Sequence, residues 1–398
     1  MSKQTTKENI TKKIKIALFI DTFYPMIDGV VMAVDNYARN LSKFADVTVF
    51  TLKARKKFDD SIFPYKVVRS PRIRLYGFDY DLPTPSLSAK FKKEIVGGNF
   101  DIIHIHSPFT IGAIGAKFAK KLNIPLIATM HSQYKQDFER ATKIKFVRKL
   151  LLKNIVKVFN KADILLTMNP ACERLAREYG CLSKIELMPN GTTLKQTKKI
   201  SQLANQIKKN YNITDEKVFI SVGRINKLKN IEFSIKVLKI LKENNFKYKM
   251  FIIGSGQDKN YFENLVKKLN LENEIIFVGK VTDNDLKSAY YMASDLQLFP
   301  STYDTDGIVK IEASAFSVPT IMAKGALSSS NCEDNKNAYI EDLDEEKFAK
   351  RIISIFEDEK KYRAVKANCK KDLFVTWQQV TSRVLKKYKN LIIKKQKE

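Results

Sequence analysis

Histidine and cysteine are scarce in this sequence, with three and four copies in 398 residues. Cys172, Cys181, Cys332 and Cys369 are widely scattered and form no C-x-x-C pair. That excludes a disulfide framework or a zinc site of ordinary spacing and fits a reducing compartment. Three histidines leave no room for a His-rich metal cluster. Long apolar runs are also missing: nothing approaches the ~20 consecutive apolar residues of a membrane-spanning helix. The run Ile16–Ile20 is shorter than the core of a signal peptide, about 7–15 residues, and reads as a first strand behind a polar, basic N-terminus. A cytoplasmic protein is expected. Acid is in short supply too, with 43 Asp and Glu against 71 Lys and Arg, a net charge of +28. Such an excess favours a polyanionic surface, nucleic acid or membrane. It is uneven: residues 1–200 carry 36 basic and 17 acidic side chains, a net of +19, leaving +9 for residues 201–398. The N-terminal half is therefore expected to face the anionic partner.

What is present is the alternation of a buried parallel sheet. A hydrophobic fraction of 44% supports a packed core, and the length suggests two or three domains. Short apolar runs at Ile14–Ile20, Val47–Leu52, Lys66–Arg69, Ile102–His106, Leu126–Met130, Ile164–Met168 and Ile185–Met188 read as strands. Helical patterns such as Val31–Ser42, Ile111–Lys121 and Ala171–Tyr179 lie between them. The rhythm pauses after Pro189-Asn190-Gly191 and restarts with strands at Lys217–Val222, Lys249–Ile253, Ile275–Val278 and Asp295–Phe299. Two α/β domains are expected, residues 1–195 and 196–375, followed by a basic C-terminal helix over 376–398. Ligands of such sheets bind outside the carboxyl ends of the strands, so the cleft between two such domains is the natural site.

Two segments carry the chemistry. Gly223-Arg224 follows a strand, and Arg224 and Lys229 fall near a helix N-terminus, where backbone N–H groups and two cations suit a diphosphate. A basic loop on a basic protein is the plainer reading. Phe299–Ala313 runs from the end of a strand through a loop into a helix. Gly307 lets the backbone approach a ligand, Asp304 sits at the helix mouth, and Glu312 lies about two turns on, a placing that suits sugar hydroxyls. The plainer reading is that Asp304 or Asp306 caps the helix. Asp304-x-Asp306 matches a metal-binding D-x-D only at the level of chance. Gly254-Ser255-Gly256 lacks the third glycine of a dinucleotide fingerprint, which argues against a nicotinamide site. His104 and His106 alternate on one strand face and read as a structural pair. His131 stands at a strand C-terminus, where polar site groups gather.

Residues 143–161, KIKFVRKLLLKNIVKVFNK, contain no acid. Ile144, Val147, Leu151, Ile155 and Val158 fall on one helical arc, and Lys149, Lys153, Lys157 and Lys161 form a stripe on another. Such a helix suits an anionic membrane surface. An ordinary helix packed on the sheet by its apolar arc is the alternative, and the two readings are compatible.

These motifs together resemble the retaining GT-B glycosyltransferases of family 4 over nearly the whole chain. Asp304-x7-Glu312 is similar to the family's E-x7-E element, with Asp where the family usually has Glu. Arg224 and Lys229 are similar to its G-R-x4-K clamp, and Asp28-Gly29-Val30 to its early glycine loop. The charge and the basic helix look most like the branch that transfers glucose from UDP-glucose to the 3-hydroxyl of 1,2-diacylglycerol. The resemblance implies an α/β GT-B fold, two Rossmann-like domains facing across a cleft with basic C-terminal helices. It implies that Arg224, Lys229 and Gly29 meet the UDP diphosphate, that Glu312 holds the ribose, and that Val281 lies near the uracil. Asp304 and the backbone around Gly307, Ile308 and Val309 would hold the glucose, with His131 near its 6-hydroxyl. No tightly bound cofactor and no metal ligand set are implied, with Mg²⁺ acting through the phosphates left open. The partners implied are UDP-glucose, diacylglycerol and an anionic phospholipid surface, and the place a peripheral, monotopic one on the cytoplasmic face of the plasma membrane. A different lipid or sugar acceptor is the first alternative. A nucleic-acid-binding protein is the second, and it leaves Arg224, Lys229 and Glu312 unexplained while lacking RNA-recognition or zinc-finger signatures.

Overall fold

A computed structural model describes residues 13–74 and 81–397. The basic segment before residue 13, read above as part of a polar N-terminus, lies outside the described residues. The chain forms two compact units. One comprises Met1–Met168, Cys172–Met188 and Trp377–Glu398; the other comprises Asn169–Ala171 and Pro189–Thr376.

The first unit holds a seven-stranded sheet in the order Lys66–Ser70, Asp46–Leu52, Lys15–Phe19, Ile102–Ile105, Leu126–Thr129, Ile164–Thr167, Lys184–Leu187. Every neighbouring pair is parallel. Central strands such as Ile102–Ile105 and Leu126–Thr129 are buried throughout, which is why they read as continuous apolar runs rather than alternating ones. The strand order reverses between Lys15–Phe19 and Ile102–Ile105, so loops leaving their carboxyl ends diverge and open a crevice there.

The second unit repeats the scheme with six parallel strands in the order Ile275–Gly279, Tyr248–Ile253, Lys217–Val222, Leu296–Phe299, Thr320–Ala323, Tyr339–Glu341. The last two strands were not anticipated from the sequence. The reversal falls between Lys217–Val222 and Leu296–Phe299, so the loops starting at Gly223 and Pro300 flank the switch point.

The C-terminal helix Trp377–Lys397, expected as a separate segment, belongs to the first unit. It buries Trp377, Val380, Thr381, Val384, Tyr388 and Ile392, spaced three and four apart along one face. Its Tyr388 hydroxyl lies 2.6 Å from His104 Nδ1, and Lys387 is paired with Glu186 on the edge strand. The unit boundary falls at Pro189, a few residues before the expected one, because Asn190 and Thr192 bond to partners in the second unit.

Candidate active site

Three loops of the second unit are locked together at the carboxyl ends of its strands. Ile225, fully buried, anchors the first, and its N–H donates to the Ser255 carbonyl at 3.0 Å. Gly254 has φ +149°, and a Cβ there would stand 1.8 Å from the Gly223 carbonyl oxygen. The glycine pair at 254 and 256 therefore serves close backbone packing against residues 223–225, and this is the physical account of the partial dinucleotide fingerprint. Asn230 Nδ2 donates to the Pro300 carbonyl at 2.9 Å, tying the first loop to the third.

This packing brings Lys229 to Asp304. The ammonium lies 2.6 and 2.8 Å from the two carboxylate oxygens, and both side chains are about four-fifths buried. Arg224 is exposed on the same loop. Glu312 is held from both sides: Lys287 Nζ lies 2.7 Å from Oε1, and the Tyr291 hydroxyl donates to Oε2 at 2.9 Å. Burial and the adjacent carboxylate push the Tyr291 phenol well above its usual range, so it remains a donor. Each carboxylate thus arrives with a lysine. A carboxylate has room for about four hydrogen bonds, so both retain capacity for hydroxyl donors.

The helix Ile308–Ser314 opens at Gly307, which has φ +68° and on which a Cβ would stand 2.6 Å from the Phe299 ring. No side chain caps this helix. The plainer sequence reading, in which Asp304 or Asp306 is its cap, is therefore corrected: Asp304 turns to Lys229, and Asp306 is buried and accepts from Asn190. Ile308 and Val309 lie half-exposed in the first turn. Val281 is half-buried against the core beyond the edge strand. Lys287, Tyr291 and Lys310 were missed from sequence, and Asp306 was read only as a cap or as half of a chance D-x-D. The one available signal was Lys310, a lone cation inside the apolar run Ile308-Val309-Lys310-Ile311.

In the first unit, Gly29 begins the helix Gly29–Leu41, capped by Asp28, whose Oδ1 accepts from the Val30 and Val31 N–H groups at 2.9 and 2.8 Å. A Cβ on Gly29 would meet nothing within 4 Å, so its surroundings are open to a ligand. All three histidines converge at the carboxyl ends of neighbouring strands. The rings of His104 and His106 are 3.9 Å apart, and His106 Nδ1 is 3.1 Å from His131 Nε2. Burial holds His104 and His106 neutral and lowers His131 to about 4. Unfolded, each would titrate near 6.5, so the unfolded chain binds more protons as pH falls below that value. The stability from these neutral rings is present above pH 6.5 and is lost on acidification towards pH 4. Asp21 opposes this, because burial raises its carboxyl to about 6, but it is one group against three. The melting temperature is expected to be lower at pH 5.5 than at 7.5, and His131→Gln to flatten the slope. A flat wild-type profile would refute this account.

The basic segment forms the helix Lys145–Phe159, with Ile155, Val158 and Phe159 buried and Val147 and Leu151 half-buried. Lys149, Lys153 and Lys157 are exposed along it, and Lys161 is exposed just beyond its end. Ile144 departs from the expected apolar arc. It precedes the helix and is 62% exposed, as are Phe146 at 75% and Leu150 at 47%. At 100° per residue Phe146, Leu150, Lys153 and Lys157 share one outward face. No described helix is long and apolar enough to cross a membrane.

Two Rossmann-like units, each built on a parallel sheet with a switch point, define the GT-B class of glycosyltransferases. Residues 27–196 match the model of Glycosyltransferase Family 4, and residues 204–372 that of glycosyl transferases group 1. The chain belongs to the family 4 glycosyltransferases. It is 28% identical over 359 residues to the alpha-monoglucosyldiacylglycerol synthase of Acholeplasma laidlawii, covering 86% of this chain and 88% of that protein. The synthase of the same name from Streptococcus pneumoniae is 25% identical over 319 residues, 77% of this chain and 70% of that one. Among solved structures, Anabaena Alr3699/HepE in complex with UDP shares the fold with a TM-score of 0.75 at 16% identity, over 95% of this chain and 100% of that one.

Proposed function

We propose that this glycosyltransferase moves glucose from UDP-glucose to the 3-hydroxyl of 1,2-diacylglycerol, with retention, at the surface of an anionic membrane. The observation that carries the donor half is the pairing of Asp304 with Lys229, which sets a hydroxyl acceptor and a phosphate-binding cation within one hydrogen bond of each other. Lys229 and Arg224 take the diphosphate, Asp304 the glucose hydroxyls and Glu312 the ribose. The bond from the anomeric carbon to the UDP phosphate breaks as the bond to the acceptor oxygen forms on the same face. The acceptor proton passes to the departing phosphate oxygen. Cations aimed at the charge that develops there supply much of the rate. His131, neutral and at a strand end, suits a hydrogen bond to the sugar better than proton transfer. The solved structure of the same fold is in complex with UDP, which supports a uridine nucleotide as the ligand here.

The acceptor half rests on the two synthases and on the helix Lys145–Phe159. Its first turn contains no acid, although a helix N-terminus carries partial positive charge. Basic residues there cost stability alone and become favourable against an anionic surface, into which Phe146 and Leu150 place apolar groups. The test is thin-layer analysis of lipid formed from UDP-[¹⁴C]glucose and vesicles of diacylglycerol with phosphatidylglycerol. A labelled monoglucosyl lipid is expected. Label incorporated only when another lipid or a soluble sugar is supplied would move the assignment to a different acceptor within the family.

A further inference from the structure

We propose that the buried pair Asp306 and Lys310 is the positioning device of the donor loop, a role that rests on the donor reading above. The pair sits between the two carboxylates of that reading, Asp306 two residues after Asp304 and Lys310 two residues before Glu312. Its side chains are 2% and 1% exposed, and Lys310 Nζ lies 3.5 Å from Asp306 Oδ1. The other Asp306 oxygen accepts from Asn190 twice, from Nδ2 at 2.8 Å and from the backbone N–H at 3.3 Å. The ammonium also donates to Asn331 Oδ1 at 2.6 Å and to the Ser328 carbonyl. One residue away, Asn169 Nδ2 donates to the Thr305 carbonyl at 2.7 Å.

Stability does not account for this arrangement. Desolvating two charges costs about as much as their attraction returns, and apolar pairs of similar volume often do as well or better. What the pair supplies is direction. Asp306 is bonded to the start of the second unit at Asn190, and Lys310 to the loop 328–331, so the backbone on both sides of Gly307 is fastened to separate parts of the unit. Gly307 itself, in the left-handed region and resting on Phe299, has no side chain with which to fix its own place. The pair thereby sets where Asp304 and the N–H groups of the first helical turn point. Site groups must be held within about 0.5 Å to act, and the directional bonds of this pair to Asn190, Asn331 and the Ser328 carbonyl fix its place along several directions at once.

The experiment measures UDP affinity by calorimetry, the UDP-glucose KM and kcat, and thermal melting for the full chain. In Lys310→Gln we expect UDP to bind at least tenfold more weakly and KM to rise more than kcat falls. Asp306→Asn with Lys310→Gln rebuilds the hydrogen bonds without charge and should restore UDP affinity to within threefold of wild type. Asn331→Ala removes one partner of the ammonium and keeps the ion pair. It should weaken UDP about threefold and serves as the measured variant if Lys310→Gln does not fold. A lowered melting temperature with unchanged UDP affinity and KM would overturn the proposal and leave the pair a packing feature. A wild-type protein that fails to bind UDP would overturn the donor reading itself, and this role with it.

Discussion

Lys229→Ala is expected to lower glucose transfer by about a hundredfold or more, and to weaken UDP binding further than Arg224→Ala does. Two losses combine. A charge-assisted contact to the diphosphate contributes about 1.5–3 kcal/mol, roughly ten- to hundredfold. The second loss is specific to this geometry. Lys229 is the cation that Asp304 faces at 2.6 and 2.8 Å, so its removal leaves a largely buried carboxylate uncompensated beside an incoming phosphate anion. Arg224 is exposed, so its removal takes away a cation that solvent already screens. Adding Asp304→Asn to Lys229→Ala should therefore recover part of the UDP affinity while transfer stays low, because the sugar loses its carboxylate. Asp304→Glu alone should retain activity. Calorimetric titration with UDP and steady-state transfer rates on the purified variants separate these effects. Wild-type UDP affinity in Lys229→Ala would remove this lysine from the donor site.

Changing Lys149, Lys153, Lys157 and Lys161 together to Gln should release the protein from vesicles containing phosphatidylglycerol and reduce transfer to lipid. A basic side chain near such a surface contributes about 1 kcal/mol, screened within a Debye length, so the four together account for a few kcal/mol. We expect at least a tenfold loss of vesicle binding at low salt, and a much smaller loss at high salt where screening has already removed most of the attraction. Replacing Phe146 and Leu150 with Ser should instead remove the salt-insensitive part, since apolar burial does not depend on ionic strength. Sedimentation with vesicles with and without the anionic lipid reads both. Binding, salt dependence and activity unchanged in the quadruple variant would reduce this helix to one that only packs on the sheet.

How far the sequence carried depends on the range of the interaction concerned. The strands Lys217–Val222 and Ile102–Ile105 were legible because parallel strands buried on both faces are continuous apolar runs between turn signals. The strands Thr320–Ala323 and Tyr339–Glu341 were missed, because the first offers only Ile321 and Met322 as large apolar residues and the second is three residues long and ends on an acid. Asp304 and Glu312 stood out by spacing, but their partners did not. Lys229 is 75 residues from Asp304 and Lys287 is 25 residues from Glu312, and no local pattern links them. The helix Lys145–Phe159 shows the same limit at shorter range. Its periodicity located both faces, yet Phe146 and Leu150 read as unremarkable members of an apolar stretch until their exposure was known.

The sequence by itself determined the alternation of strand and helix, the division into two α/β units, the basic excess of the first half, and the residue types offered for diphosphate and hydroxyl recognition. These follow from local rules: burial sets the length and continuity of apolar runs, glycine marks the turns, and charge is additive along the chain. Only the tertiary structure decided that the C-terminal helix closes the first unit through Tyr388 and His104, that three histidines sit neutral together, and that Asp304 and Glu312 each come paired with a lysine. It also decided that Asp306 and Lys310 are buried rather than solvated. The physical reason is common to all of these. A hydrogen bond or ion pair has a reach of a few ångströms in space and none along the chain, so which groups meet is set by the order of strands in the two sheets and not by their order in the sequence.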